Sequence, residues 1–348
     1  MKRFASVGIL AVAAIILAAF LPLFNAEACT RMFWNTNGQV MLVARNLDLD
    51  LDDKPIFYVF PMGISKKGGI PDKPATWTSL YGSVVVTHLG SSTFSAEGIN
   101  TAGLSFHFLY LSAAIYEKRD SRPGVLTGRY GEYLLDNAAT VSDALELMYK
   151  TQLVQEYFAG RVWPFHLAIE DAFGDSAIIE FVKGKMHIYH GAEYTVLTND
   201  PTFDHQMPNL WGYQYFGGSL PLPGDLDATS RFVRAAAFLS SLDAAFSHPG
   251  AIKPSRISSM FTAIRALTEP FGGEWFLGDT PIAAWPTLWT VVSDLTNKAV
   301  YFTHNLGRNN FWIDMRKLNF QKGAPIRFLK ADRPDLAGEV SRLFATLP

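Results

Sequence analysis

Cys29 is the single cysteine of this chain, and it follows Ala26-Glu27-Ala28, small residues at the −3 and −1 positions of a signal-peptidase cleavage site. Cleavage after Ala28 would leave Cys29 as the first residue, with a free amine one carbon away from the carbon that bears the thiol. An unperturbed α-amine titrates near pH ~8 and a thiol near ~8.5. An amine that is neutral part of the time can take the thiol proton, directly or through water. One residue would then hold both a nucleophile and its general base, and removal of the leader would be the activating step. The plain alternative is a small buried hydrophobe, because every cleavage site is followed by some residue. With one cysteine no intramolecular disulfide can form.

The segment ahead of Cys29 has the three parts of a secretory leader. Lys2 and Arg3 are positive, residues 7–24 are an apolar run, and the small-residue site closes it. We therefore expect residues 1–28 to be a signal peptide, signal peptidase to be the processing partner, and the mature protein to be periplasmic or secreted. A retained membrane anchor and an acylated lipoprotein are the alternatives. The second is disfavoured by Ala26 where such signals usually carry Leu. Residues 29–348 are expected to form one domain, since no repeat, low-complexity tract or linker interrupts them.

The elements that must position Cys29 follow from patterning. Residues 29–34 alternate as a strand, Asn37-Gly38 is a hairpin turn signal, and residues 39–44 read as the return strand. That strand ends in Arg45-Asn46-Leu47-Asp48, so a hairpin would carry Arg45 and Asp48 back to Cys29. An ion pair at a strand end is the other reading of these two residues. Residues 56–61 and 77–89 read as strands, with a polar loop over 65–73 between them. Gly98-Ile99-Asn100 reads as a turn, residues 103–111 as a strand that includes Tyr110, and 116–130 as a loop. Helices are predicted over 130–135, 141–158, 232–242 and 257–267. Further strands are predicted within 165–181 on either side of a 171–175 turn, then over 180–189, 194–197, 285–294, 299–303 and 311–315. The mixture implies an α+β protein with helices outside antiparallel sheets.

Composition narrows the function. Hydrophobic residues at 49% and aromatics at 14% indicate a well-packed globular chain. A net charge of −2 without a basic stripe excludes a nucleic-acid partner. There is no Gly-rich nucleotide loop and no Gly-x-Ser-x-Gly elbow. The eight histidines lack His-Glu-x-x-His or other ligand spacing, so neither a metal nor another cofactor is expected.

With these segments in view, the chain resembles the choloylglycine hydrolase family, which includes bile salt hydrolases and penicillin V acylases. Cys29-Thr30 and Ala44-Arg45-Asn46-Leu47-Asp48 look like its opening. Leu197-Thr198-Asn199-Asp200-Pro201-Thr202-Phe203-Asp204 looks like a second block. Leu222-Pro223-Gly224-Asp225 with Ser230-Arg231-Phe232-Val233-Arg234 looks like a third, and Trp289 to Lys298, with its Asp294-Leu295-Thr296-Asn297-Lys298, like a fourth. The resemblance implies a four-layer αββα sandwich of the N-terminal nucleophile hydrolase type. It implies Cys29 as nucleophile with its own amine as base, Arg45 beside the thiolate, and Asp48 holding the amine. It also implies Asn199 as an oxyanion donor, Arg231 completing the electrostatic shell, and Tyr110 at a second oxyanion position acting through its backbone NH. Bland alternatives are a turn residue for Asn199, a solvated helix-start residue for Arg231, and packing for Tyr110.

The family cleaves linear amides that join a bulky apolar acyl group to a polar amine. The exported start and Tyr110 resemble penicillin V acylases of double-membraned bacteria, so penicillin V and N-acyl homoserine lactones are the expected substrates. A conjugated bile salt hydrolase is the alternative, followed by a non-catalytic exported ligand-binding protein. Phe33, Trp34, Phe106, Phe108 and Tyr110 are candidates for an acyl pocket. The resemblance also implies a homo-oligomer, a homotetramer in the usual packing, although the interval between Asn199 and Arg231 is shorter than in many members.

Overall fold

The computed structural model describes residues 29–347, apart from 249, 251–253, 272–274, 278–279, 283–284 and 308. The expected leader, 1–28, lies outside the described residues.

Two antiparallel-rich sheets face each other. The first runs, edge to edge, through Val196–Leu197, Cys29–Trp34, Leu42–Asp48, Thr287–Asp294, Ala299–His304, Asn310–Asp314 and Gly338–Glu339. The second runs through Lys185–His190, Ser176–Val182, Phe165–Glu170, Ser105–Tyr110, Ser95–Asn100, Ser83–Thr87, Ile56–Phe60, Arg327–Lys330 and Ala345–Thr346. Helices Ala228–Ser247 and Arg256–Arg265 pack on the outer face of the first sheet, and Thr127–Asn137 packs on the outer face of the second. This is the αββα sandwich. Between the sheets, Phe57 meets Phe302 edge-on at 5.2 Å.

The helix layer over the second sheet needs a residue without a side chain. A Cβ at Gly131 would sit 2.0 Å from the Phe106 ring, and Phe106 is fully buried. We expect Gly131→Ala to destabilise the fold by about 1–3 kcal/mol through overpacking, read as a lowered unfolding temperature. An unchanged transition would show that the helix can lift without cost.

Several elements depart from their sequence patterns, each for a local reason. The return strand begins at Leu42 and continues through Asp48, rather than spanning 39–44. Asn37 widens the turn by accepting from the amides of Gln39 and Val40 and donating to the carbonyls of Trp34 and Val40. Gly98-Ile99-Asn100 is not a turn but the end of a buried central strand, Ser95–Asn100. A Cβ at Gly98 would approach the Val84 carbonyl to 2.8 Å, so glycine serves close packing there. The turn comes later, where Asn100 Oδ1 accepts from the amides of Ala102, Gly103 and Leu104. The expected 65–73 loop contains a strand, Ser65–Lys67, paired with Thr76–Thr78, and the expected 77–89 strand is broken before Ser83–Thr87.

The 116–130 loop contains a short strand, Gly124–Leu126, and the following helix is longer than 130–135, at Thr127–Asn137. The 141–158 helix stops at Lys150. Thr140 and Asp143 cap its start reciprocally, and Gln152 leaves it to pair in parallel with Gly124. The 232–242 helix extends to Ala228–Ser247, and Phe203–Trp211 is a helix that patterning did not indicate.

Candidate active site

Cys29 begins the first strand and pairs directly with Leu47, while Arg31 pairs with Arg45. Facing residues of an antiparallel pair share a face. The hairpin therefore aims Cys29, Arg31 and Arg45 at the second sheet, and Thr30 and Asn46 at the helices. The Cys29 side is 4% exposed, and Arg45 is buried with it.

The sulfur meets two groups. Arg45 Nη2 stands 3.7 Å from Sγ, and the Asp48 carbonyl oxygen 3.9 Å from it. Arg45 is held by its two terminal nitrogens: Nη2 donates to the Phe108 carbonyl at 2.7 Å, Nη1 to Glu97 at 3.2 Å, and the guanidinium lies 5.1 Å from the Trp289 ring centroid. Trp289 is in turn anchored by donating to Asp53 at 2.7 Å. Burial pushes the Cys29 thiol up, Arg45 pulls it down, Asp48 adds to the rise, and Arg231 opposes it. The net direction is upward. Arg45 acts in the expected sense but does not by itself make a resting thiolate, so proton removal must accompany attack.

On the backbone side, the Cys29 nitrogen donates to Asn199 Oδ1. Residue 28 precedes it, so this nitrogen is an amide here. Asn199 Nδ2 donates to the Tyr110 carbonyl at 2.8 Å, and Arg231 Nη2 donates to Asn199 Oδ1 at 3.3 Å. The side-chain oxygen thus faces donors and the nitrogen an acceptor, which fixes the amide orientation. Asn199 is oriented at the hub of the site, and its nitrogen keeps one further N–H beyond the bond to Tyr110.

Arg231 reaches the site from the first turn of its helix, which Asp227 starts by accepting from the amides of Thr229 and Ser230. Its Nη1 donates to the Cys29 carbonyl and to the Thr30 hydroxyl, both at 2.7 Å, and its Nε to the Leu226 carbonyl at 2.8 Å. It is wholly buried, not a solvated helix-start residue.

Asp48 is buried with both carboxylate oxygens short of a hydrogen bond. Arg231 Nη1 is 3.9 Å from one of them. A buried carboxylate without donors is costly as an anion. Burial holds the Asp48 carboxyl well above its usual range, against the pull of Arg231 and with a further push from Glu269, while the Thr287 hydroxyl and Arg45 oppose the rise more weakly. Glu269 Oε1 lies 3.5 Å from Arg231 Nε, and its carboxyl is raised by burial, against Arg231, from 4.5 to about 7. A raised carboxyl gives stability that is present below its unfolded pKa and lost as pH rises through the folded one. A chain in which Ala28 is still attached to Cys29 should therefore lose stability between about pH 4.5 and 7. Glu269→Gln should remove part of that slope in thermal unfolding scans. A slope identical in the two proteins would show that Glu269 stays ionised.

Tyr110 ends its strand and is half-buried, with its ring edge-on to Trp285 at 5.7 Å. Arg161 lies over both Trp163 (4.1 Å) and Trp285 (5.4 Å) and is tied to Asp50 at 2.7 Å. The other aromatic candidates are core. Phe33, Trp34, Phe106 and Phe108 are at most 1% exposed, and Trp34 turns to the helix layer to donate to Asp243. The structure thus brings Cys29, Arg45, Asp48, Asn199, Arg231 and the Tyr110 backbone together. Glu97, His107 and Glu269 join them without having been indicated by sequence, together with Trp289, which opens the fourth block of the family resemblance. A buried Glu or His in an alternating strand has no local motif, and only the sheet pairing reveals its partner.

The family model for linear amide C-N hydrolases of the choloylglycine hydrolase family matches residues 29–335. A penicillin V acylase of Pectobacterium atrosepticum is 32% identical over 312 residues, covering 84% of this chain and 82% of its own. The structure of a penicillin V acylase from Agrobacterium tumefaciens superposes with a TM-score of 0.79 at 32% identity, covering 92% of this chain and 98% of that one. A mutant conjugated bile acid hydrolase from Clostridium perfringens shares the fold, with a TM-score of 0.73 at 21% identity over 87% of this chain and 97% of that one.

Proposed function

The chain belongs to the choloylglycine hydrolase family of linear amide C-N hydrolases and is a cysteine amidohydrolase. On that premise we propose that its mature form, starting at Cys29 after signal peptidase removes residues 1–28 on export, cleaves amides between an aromatic or long apolar acyl group and a polar amine. Penicillin V and N-acyl homoserine lactones are the first substrates of this reading. The observation that carries it is the setting of Cys29, whose sulfur lies 3.7 Å from Arg45 and whose nitrogen is held on Asn199, with the buried Asp48 carboxyl close by.

In the cycle, the neutral α-amine takes the thiol proton as Sγ attacks the amide carbonyl. The C–S bond forms, and the carbonyl electrons move to oxygen, where the second N–H of Asn199 and the backbone NH of Tyr110 meet them. The protonated amine, held by Asp48, gives its proton to the leaving nitrogen as the C–N bond breaks. Water then enters, the amine takes one of its protons, and the thioester is hydrolysed to the acid and free thiol. None of these steps calls for a metal or cofactor. The Tyr110–Trp285 pair, with Trp163 behind Arg161, offers an aromatic wall for a phenoxyacetyl or acyl group. The mature protein in this reading is periplasmic or secreted and self-associates, by family likeness as a homotetramer, which light scattering would measure.

Intact-mass analysis after brief exposure to penicillin V tests the reading. The expected result is a chain beginning at Cys29 with a transient phenoxyacetyl increment, absent from Cys29→Ala. A correctly cut chain without adduct, but with turnover of acyl homoserine lactones or glycine-conjugated bile acids, moves the substrate. No adduct from any of the three classes sinks it.

A further inference from the structure

Between the two sheets runs a line of charged side chains that ends on the nucleophile. Arg31 Nε donates to Glu170 Oε2 at 2.9 Å. The other Glu170 oxygen lies 2.6 Å from His107 Nε2. His107 Nδ1 lies 3.4 Å from Glu97 Oε2, the atom that Arg45 Nη1 approaches to 3.2 Å. Arg45 Nη2 then reaches the Cys29 sulfur. All of these side chains are almost fully buried. The strands lock the order: Glu97 and His107 are directly paired across neighbouring strands, and Ser105, paired with Glu170, also donates to it.

The imidazole geometry decides its charge. A neutral imidazole donates from one nitrogen and presents a lone pair from the other. Here both nitrogens face carboxylate oxygens, so a neutral ring would set a lone pair against an anion in a dry layer. Only the imidazolium satisfies both sides. The charged groups facing His107 are Glu97 and Glu170, backed by Arg45 and Arg31, and the balance of their effects keeps the ring's pKa raised despite burial. The charge count agrees. Two guanidiniums and two carboxylates cancel, so a protonated His107 leaves the line with one positive charge, equal and opposite to a Cys29 thiolate.

We infer that His107 is a positioning residue for the nucleophile: as an imidazolium clamped between Glu97 and Glu170, it balances Glu97 and leaves the Arg45 charge for the Cys29 sulfur. This rests on Cys29 being the nucleophile, but not on the substrate. With a neutral residue at 107, Glu97 would neutralise Arg45 instead, and the thiolate would face an uncompensated layer.

The test reads the sulfur directly, through the pH dependence of Cys29 alkylation by iodoacetamide in the mature protein. His107→Gln should raise the midpoint by about one unit and slow alkylation at pH 7 roughly tenfold. Adding Glu97→Gln to that variant removes the opposing charge and should return the midpoint toward the wild type. A lowered unfolding temperature with an unmoved midpoint would mean that His107 only packs, and would overturn the proposal. So would a double variant no better than the single one. Should His107→Gln fail to fold, ¹⁵N-histidine spectra of the wild type decide. An imidazole protonated on both nitrogens at pH 8 is expected, and its absence overturns the inference. Loss of penicillin V turnover with normal alkylation would count against the substrate reading alone.

Discussion

A chain that keeps Ala28 on the nitrogen of Cys29 is expected to lose roughly a thousandfold or more in kcat/KM, the scale of a positioned general base. The reason is geometric as much as chemical. In the uncleaved chain the Cys29 nitrogen is an amide with one hydrogen, and that hydrogen is given to Asn199. An amide has no basic lone pair, so this nitrogen cannot take the thiol proton. The thiol is already pushed up by burial, so little of it would ionise unaided. The same chain leaves the buried Asp48 carboxyl short of hydrogen-bond donors. Cleavage would add a lone pair for the sulfur and further N–H donors for Asp48. The comparison to make is the mature protein against one with a single residue added ahead of Cys29, assayed on penicillin V. Equal rates would exclude the α-amine as base. A loss confined to KM would mean that the extra residue merely blocks substrate entry.

How much of this was legible in the sequence depends on whether a residue's partner is near or far along the chain. The Asn37-Gly38 turn made the hairpin readable, and with it the return of Arg45 and Asp48 to Cys29, since register follows from the turn. The α+β class was readable from alternation and helical spacing. The pairing of Asn199 with Cys29 was not, because 170 residues separate them and an Asn before Asp-Pro looks like a turn. Only the family resemblance pointed to it. Arg231 was similar, since a helix-start arginine is normally solvated, and its burial depends on the Cys29 carbonyl that accepts from it. Glu97 was masked by a glycine and an asparagine that suggested a turn. In the folded chain those residues serve close packing and the following turn, and Glu97 sits opposite His107. The aromatic candidates failed for the converse reason. Phe106, Phe108 and Tyr110 share one face of their strand, but the first two are buried within it, and only Tyr110, at its half-buried end beside Trp285, reaches the site.

Asn199→Asp is expected to reduce kcat by about 10²–10³, the cost of removing an oxyanion donor, with little change in KM. The substitution keeps shape and replaces the donating nitrogen with an acceptor. Two consequences follow from the observed partners. The Tyr110 carbonyl, which accepts from Asn199 at 2.8 Å, would face a carboxylate oxygen and be repelled, displacing the second oxyanion position along with the first. The new negative charge would lie beside Arg231, 3.3 Å from the Asn199 oxygen, and close to the Cys29 amine, holding that amine protonated to higher pH. The pH profile should therefore shift as well: the limb on which the amine loses its proton should move upward. Asn199→Ala separates the two effects. It removes the donor without adding charge, so it should share the loss in kcat and leave that limb where it is or lower. The assignment depends on how the loss divides. An oxyanion contact is made only as charge develops on the substrate oxygen, so it belongs in kcat. If both variants instead raise KM and keep kcat, Asn199 positions substrate through Tyr110, and the oxyanion must be met by other groups.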